Sequence, residues 1–243
     1  MYFKRMISAP KAAPFLLAIG ILVGCASGLD KSTASVDLNE KSLVVVSMRF
    51  TNAYRPSFES AALGLGIRRL DAPVDTPPPG PTRVVSLLHP EKQFFKVLES
   101  SEKDGIFVLQ LLPGKYEVAR LTGSTRYGIL FGSIDTTVAA PFELKPRTAM
   151  YLGQIDMTNI ERKNSTDQAS GSALPLVSQA ASGLSGGTLA LRLVDRYEAD
   201  LAKVKNDYPA LRAIEVVRAP LTRMSIDSAV GSGASPREAV VAR

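Results

Sequence analysis

Between Ser42 and Phe50 the chain reads SLVVVSMRF, apolar at almost every position and rich in β-branched side chains. That is the pattern of a strand covered on both faces. AALGLGIRRLD (Ala61–Asp71) follows as a second strand, with Gly64 and Gly66 on one face and Arg68 and Arg69 pointing opposite ways. Short apolar runs then recur: Arg83–His89 and Gln93–Ser100 around a His-Pro turn, Ile106–Leu112, Lys115–Leu121, Thr125–Ser133, Thr136–Leu144 and Ala149–Met157. Tyr127 and Phe131 are alternate positions of the Thr125–Ser133 strand, so they share a face and are expected in the core. Strands at intervals of ten or so residues, with turn chemistry between and no helical period, predict an antiparallel β-sandwich.

Three stretches depart from this rhythm. Asp75–Pro81 is too rich in proline for a helix or a central strand and reads as a surface loop. Asn164–Gly187 is rich in Ser, Ala and Gly. It is expected as a flexible loop, residues 164–187, inside a hairpin with arms Ala149–Ile160 and Thr188–Val194, with a short amphipathic turn near Leu174, Leu176, Val177 and Leu184. DRYEADLAKVKNDYPAL alone has helical spacing, with Tyr197, Leu201, Val204 and Tyr208 on one stripe. Asp195 and Glu198 have the capping-box spacing, and Asp200 is expected to face water. Pro209 ends the helix, which is placed at about 196–207. Ala213–Val217 could add a last strand. Residues 42–218 thus form one β-sandwich domain with a C-terminal helix, and 219–243 read as a disordered tail.

The amino-terminal stretch has another character. Met1–Lys11 carries Lys4, Arg5 and Lys11 and no acid, and Pro14–Gly24 is apolar. Eleven apolar residues span only ~16 Å as a helix, well short of a bilayer core of ~30 Å. A basic segment, a short apolar one and small residues form the layout of a secretory signal. The chain's only cysteine, Cys25, comes next. LVGC (Leu22–Cys25) resembles the lipobox of bacterial lipoproteins. The resemblance implies a signal peptide, residues 1–24, cut between Gly24 and Cys25. It also implies diacylglycerol on the Cys25 sulfur and an acyl chain on its amine, with no other cofactor. Ala26 in place of aspartate implies sorting to the outer membrane, at its periplasmic face or at the cell surface. Residues 25–41 would be a lipidated, flexible tether.

Without residues 1–24 the balance is 26 basic to 23 acidic side chains, so the formal charge of +6 is in part a property of the export signal. No basic stripe interleaved with aromatics points to nucleic acid. One cysteine allows no internal disulfide. His89 is the only histidine and sits before Pro90 in a turn, so triad and zinc chemistry lack partners. Gly64 and Gly66 lack the third glycine and the helix of a dinucleotide site.

FVLQLLPGKY (Phe107–Tyr116) and the later FELKPRTAMYLGQIDM (Phe142–Met157) resemble paired elements of transthyretin-like and carboxypeptidase-regulatory-like β-sandwich domains, which also occur in bacterial lipoproteins. Pro113 and Gly114 close a turn and Tyr116 lies over the sandwich end, a structural hairpin rather than a site. KPRTA departs from the Pro-Gly form of the second turn. The resemblance supplies no catalytic residue and no metal ligand. The expected function is a non-catalytic, membrane-anchored binding or structural module of the bacterial envelope. Its partners would be the membrane, through the lipid, and an envelope protein or glycan met by the 75–81 and 164–187 loops. The alternatives are a carboxylate-based cell-wall or glycan hydrolase and a subunit of an envelope secretion complex.

Overall fold

A computed structural model describes residues 27–71, 97–99, 104–164, 167–171, 177–226, 237–238 and 240–242. In chain order the strands are β1 (Ser27–Gly28), β2 (Ser42–Asn52), β3 (Glu59–Arg69), β4 (Val97–Glu99), β5 (Asp104–Leu111), β6 (Gly114–Tyr127), β7 (Leu130–Leu144) and β8 (Ala149–Glu161). Helix α1 (Val177–Ala181), β9 (Gly187–Val194), helix α2 (Tyr197–Asp207), a 3-10 turn Pro209–Leu211 and β10 (Val216–Arg218) follow. Short strands β11 (Ser225–Ile226), β12 (Arg237–Glu238) and β13 (Val240–Ala242) come last.

The protein is mainly β and has two sheets. One runs β1-β5-β2-β8-β9-β13, with β10 also paired to β8, and the other runs β12-β11-β7-β6-β3-β4. The second sheet is antiparallel throughout. The first is mixed: β2 runs parallel to β8, β10 to β8 and β13 to β9. The expectation of a wholly antiparallel arrangement is corrected here. Between β2 and β8 the chain crosses to the second sheet for β3, β6 and β7, so β8 re-enters from the end where β2 began.

Burial on both faces of β2 follows from two apolar clusters. Val44, Val46, Met48 and Phe50 face Leu65, Val118 and Ile134 of the other sheet. Leu43 and Val45 face outward, where Leu29, Val204, Tyr208 and Leu211 cover them. Each such side chain taken out of water contributes roughly 1.5–3 kcal/mol, so the outer cluster is a second core. It holds α2 in place through Val204, with Tyr197 and Leu201 packed beside it.

The described parts of three segments expected to be loose make defined contacts. In the 25–41 stretch, Ser27 and Gly28 pair with Gln110 and Leu109, and the Leu29 amide donates to Val108 O. Leu29 is buried, Val36 and Leu38 pack on the outer core, and Lys31 Nζ reaches Asp207 Oδ2 at 3.2 Å. Three apolar anchors without a regular period suffice. In the 164–187 stretch, α1 forms and Leu184 is 0% exposed, inserted into the inter-sheet core. Asn52 and Asn159 fasten this stretch: Asn52 Nδ2 donates to Ser182 O, Asn159 Nδ2 to Asn52 Oδ1, and Ser170 Oγ to Asn159 Oδ1. In the 219–243 stretch, Leu221 and Met224 join the same core and β11 pairs with β7. These residues stand apart in the sequence, so no local pattern announces them. Among the described residues no helix is long and apolar enough to cross a membrane.

Candidate functional site

The sandwich has two ends of different chemistry. The base carries the start of β2, the β5–β6 turn at Leu112–Pro113 and the β7–β8 turn at Lys145–Thr148. Ser27 lies opposite Gln110, one step from Leu111, so the chain that follows Cys25 enters the fold at the base. Gly24 and Cys25 are outside the described residues, as are His89 and the 75–81 loop. Exposed Lys115, Lys145 and Arg147 give this end its cations.

The base turns are tied down. Gly114 has φ +155°, and a Cβ there would come within 2.7 Å of the Asp71 carboxylate. Asp71 accepts from Arg69 Nε at 2.6 Å and from the Lys115 amide at 3.1 Å. The Arg69 hydrogen bond holds the Asp71 carboxyl below the usual carboxylate range. Tyr116 is buried, stacks on Phe142 and donates its hydroxyl to Leu112 O at 2.7 Å. Burial pushes its phenol up. In the β7–β8 turn Arg147 takes φ +56°, the left-handed position where the related pattern has glycine.

The carboxylates of the helix start are drawn into structural contacts. Asp195 Oδ1 accepts from the Tyr197 amide, 3.1 Å, and Oδ2 pairs with Arg218 Nε at 2.6 Å. The expected cap is corrected here: the N-cap is Arg196, with no side-chain cap bond, and Asp195 stands one residue before it. No bond from Glu198 back to the helix start forms among the described residues, so the capping box is not made. Asp200 is buried rather than facing water: Ser47 Oγ donates to its Oδ2, as does Tyr151 OH at 2.6 Å. Burial, then the hydrogen bond to Asp200, pushes the Tyr151 phenol far above its ordinary value. This clasp fixes α2 across the outer face of β2 and β8. Among the described residues no group of three or more His, Cys, Asp and Glu could hold a metal ion.

The tip is the opposite end, with the Ala53–Ser57 turn, Arg162 and Lys163 after β8, and the β6–β7 hairpin. The pattern of Thr125–Ser133 predicts one strand. It is a hairpin instead, with Tyr127 paired to Leu130 across the two residues Gly128 and Ile129. Gly128 at φ +56° supplies the conformation that a Gly-x two-residue loop requires. Tyr127 and Phe131 therefore lie on different strands and opposite faces, since Phe131 pairs with Arg126. Neither is in the core: Tyr127 is 59% exposed, Phe131 52% and the apical Ile129 99%. Tyr127 leans on Phe58, with ring centroids 5.5 Å apart. A shallow hollow of about 530 Å³ opens beside the hairpin, lined by Glu59, Ala61, Ser124, Arg126, Ile129 and Phe131 among others.

Comparison with protein-family models, curated proteins and solved structures gave no match.

Ile129 escaped the sequence reading. The legible signal was Gly128 in the middle of an otherwise unbroken apolar run, which marks a turn as readily as a bulge. An aliphatic residue at the second turn position, where Asn, Ser or Asp would serve the backbone, has no role inside the fold.

Proposed function

We propose that the protein is a membrane-anchored, non-catalytic lipoprotein of the bacterial envelope. It is held at the outer membrane through acylated Cys25 and acts as a binding or structural module, with a body of the transthyretin- or immunoglobulin-like sandwich kind. The observation that carries this reading is the ladder between Ser27–Gly28 and β5. Only Ala26 separates Cys25 from that ladder, so acyl chains on the sulfur and the amine would seat the base on the bilayer without a long linker. Two or more acyl chains hold stably where one holds reversibly. Lys115, Lys145 and Arg147 are exposed at that end and would meet headgroup phosphates. The tip then points away from the anchor. The 14 residues of β6 at ~3.3 Å each put it about 40 Å from the base. Leu184 of the 164–187 stretch is set in the inter-sheet core, and the contact surface of this reading is the hairpin beside it.

The test is mass spectrometry of the amino-terminal peptide of protein purified from the envelope. A chain beginning at Cys25 with a triacyl mass is expected, and Cys25→Ser should leave the precursor uncut. An unmodified thiol on an uncut chain overturns the proposal.

A further inference from the structure

Three exposed apolar side chains stand together as a wedge at the tip, and two of them, Ile129 and Phe131, also line the hollow beside the hairpin. Ile129 stands at its apex, fully exposed, with Tyr127 and Phe131 on the two flanks. Among the described residues around the same end stand four exposed cations, Arg55, Arg126, Arg162 and Lys163, against two exposed carboxylates, Glu59 and Glu161. Glu59 lies opposite Arg126 in the β3–β6 ladder, so one of those acids is matched at once. Among these described residues the collar is cationic overall. Covering the wedge completely would remove roughly 400 Å² from water, taking large side chains at ~150–250 Å² each. A stable protein interface needs about 800 Å² per partner. An apolar patch this small within a cationic collar suits a fluid surface that closes round it, with anionic groups at the collar and hydrocarbon beneath. Aromatic side chains such as Tyr127 are at home at that boundary.

We infer that the tip is a lipid contact: Ile129, Tyr127 and Phe131 enter an anionic bilayer surface while Arg55, Arg126, Arg162 and Lys163 meet its phosphates. The inference rests on the proposed anchored module and names what its free end meets. With the base held by Cys25, the module would touch lipid at both ends, either by lying along one bilayer or by standing between two.

The chain contains no tryptophan, so Ile129→Trp installs a single reporter at the apex. The acylated full-length product is reconstituted in phosphatidylcholine donor vesicles, and phosphatidylglycerol-containing acceptor vesicles are added, with brominated acyl chains in either population. A blue shift of the emission with quenching by brominated acceptors is the result expected for a standing module. Quenching by brominated donors, once they contain phosphatidylglycerol, is the result expected for a lying one. Addition of Ile129→Asp protein should give no competition in either case. Emission that stays at its solvent-exposed position with every vesicle composition overturns the inference. So does a shift produced only by delipidated envelope protein, which would make the partner a protein socket. Co-flotation of the wild-type chain with the donors reads the anchor separately. The reporter responds to added vesicles whether or not Cys25 carries lipid, so the two failures remain distinct.

Discussion

At the base, the β5–β6 turn is held by a phenol, a carboxylate and a guanidinium: Tyr116 donates to Leu112 O, and Asp71 bonds both Arg69 and the Lys115 amide. At the tip, the β6–β7 turn has one side-chain tie, Arg126 Nε to Gly128 O at 3.1 Å, and leaves an isoleucine in water. The strands joined are the same kind, and β6 belongs to both turns. The difference lies in what each turn satisfies. Polar ties at the base meet the fold's own backbone needs, while at the tip Tyr127 leans on Phe58 and the apical Ile129 is left 99% exposed. A residue left in water at such a turn is where recognition is to be sought.

The comparison breaks first if the tip end is not part of the cooperative unit. Leu184 is its plug, at 0% exposure between α1 and the inter-sheet core. Leu184→Ala should cost about 3 kcal/mol in urea denaturation and open residues 167–187 to protease. A loss well under 1 kcal/mol would mean that this segment is only laid on the sandwich.

The next effect tests the outer core near the base. Tyr151→Phe removes a hydroxyl that donates to buried Asp200, at a cost of about 2 kcal/mol near neutral pH. The pH dependence has a definite sign. The folded phenol titrates above the ~10 of an exposed tyrosine. Its stabilisation is therefore complete below about pH 10 and is lost as the pH rises further. Thermal melts of wild type and Tyr151→Phe should keep a constant gap up to about pH 9–10, which then closes. A gap that closes instead on acidification would show that the carboxylate, not the phenol, governs the clasp.

These side chains also show what the sequence could disclose. The double-sided burial of β2 was legible because a run such as LVVV needs two covers. The Pro113–Gly114 turn was legible because those two residue types dictate backbone angles by themselves. The α2 stripe was legible from spacing. The parallel pairing of β2 with β8 was not, because strand direction depends on a crossover and not on any local period. Asp200 looked solvated because its two donors lie 153 and 49 residues away in the chain. The docking of residues 27–41 rests on a few scattered apolar contacts. At the tip the reading failed for a further reason. Hydrophobicity was taken as a mark of burial, and Ile129 breaks that rule.

Smaller still is the effect at the second base turn. Arg147 occupies a left-handed conformation, φ +56°, that costs a side chain with a Cβ about 1 kcal/mol or more. Glycine would relieve this but adds freedom to the unfolded chain. Arg147→Gly should therefore stabilise by about 0.5 kcal/mol in equilibrium unfolding. A loss instead would mean that the guanidinium holds the turn by contacts that outweigh its strain.

The smallest effect on stability is expected where the largest effect on binding lies. Ile129 contributes no buried area, so Ile129→Asn should change stability by no more than about 0.5 kcal/mol in either direction. Asparagine also suits a turn better than isoleucine does. Yet an isoleucine fully withdrawn from water is worth roughly 1.5–3 kcal/mol, and each ~1.4 kcal/mol is tenfold in affinity. Partitioning onto phosphatidylglycerol vesicles should therefore fall at least tenfold with the melting curve unmoved. Equal vesicle binding by both chains would leave the tip apolar for no purpose outside the molecule, and the contrast between the ends would reduce to one of turn chemistry. Separation of the two readouts at one residue is what a site, as distinct from a fold element, requires.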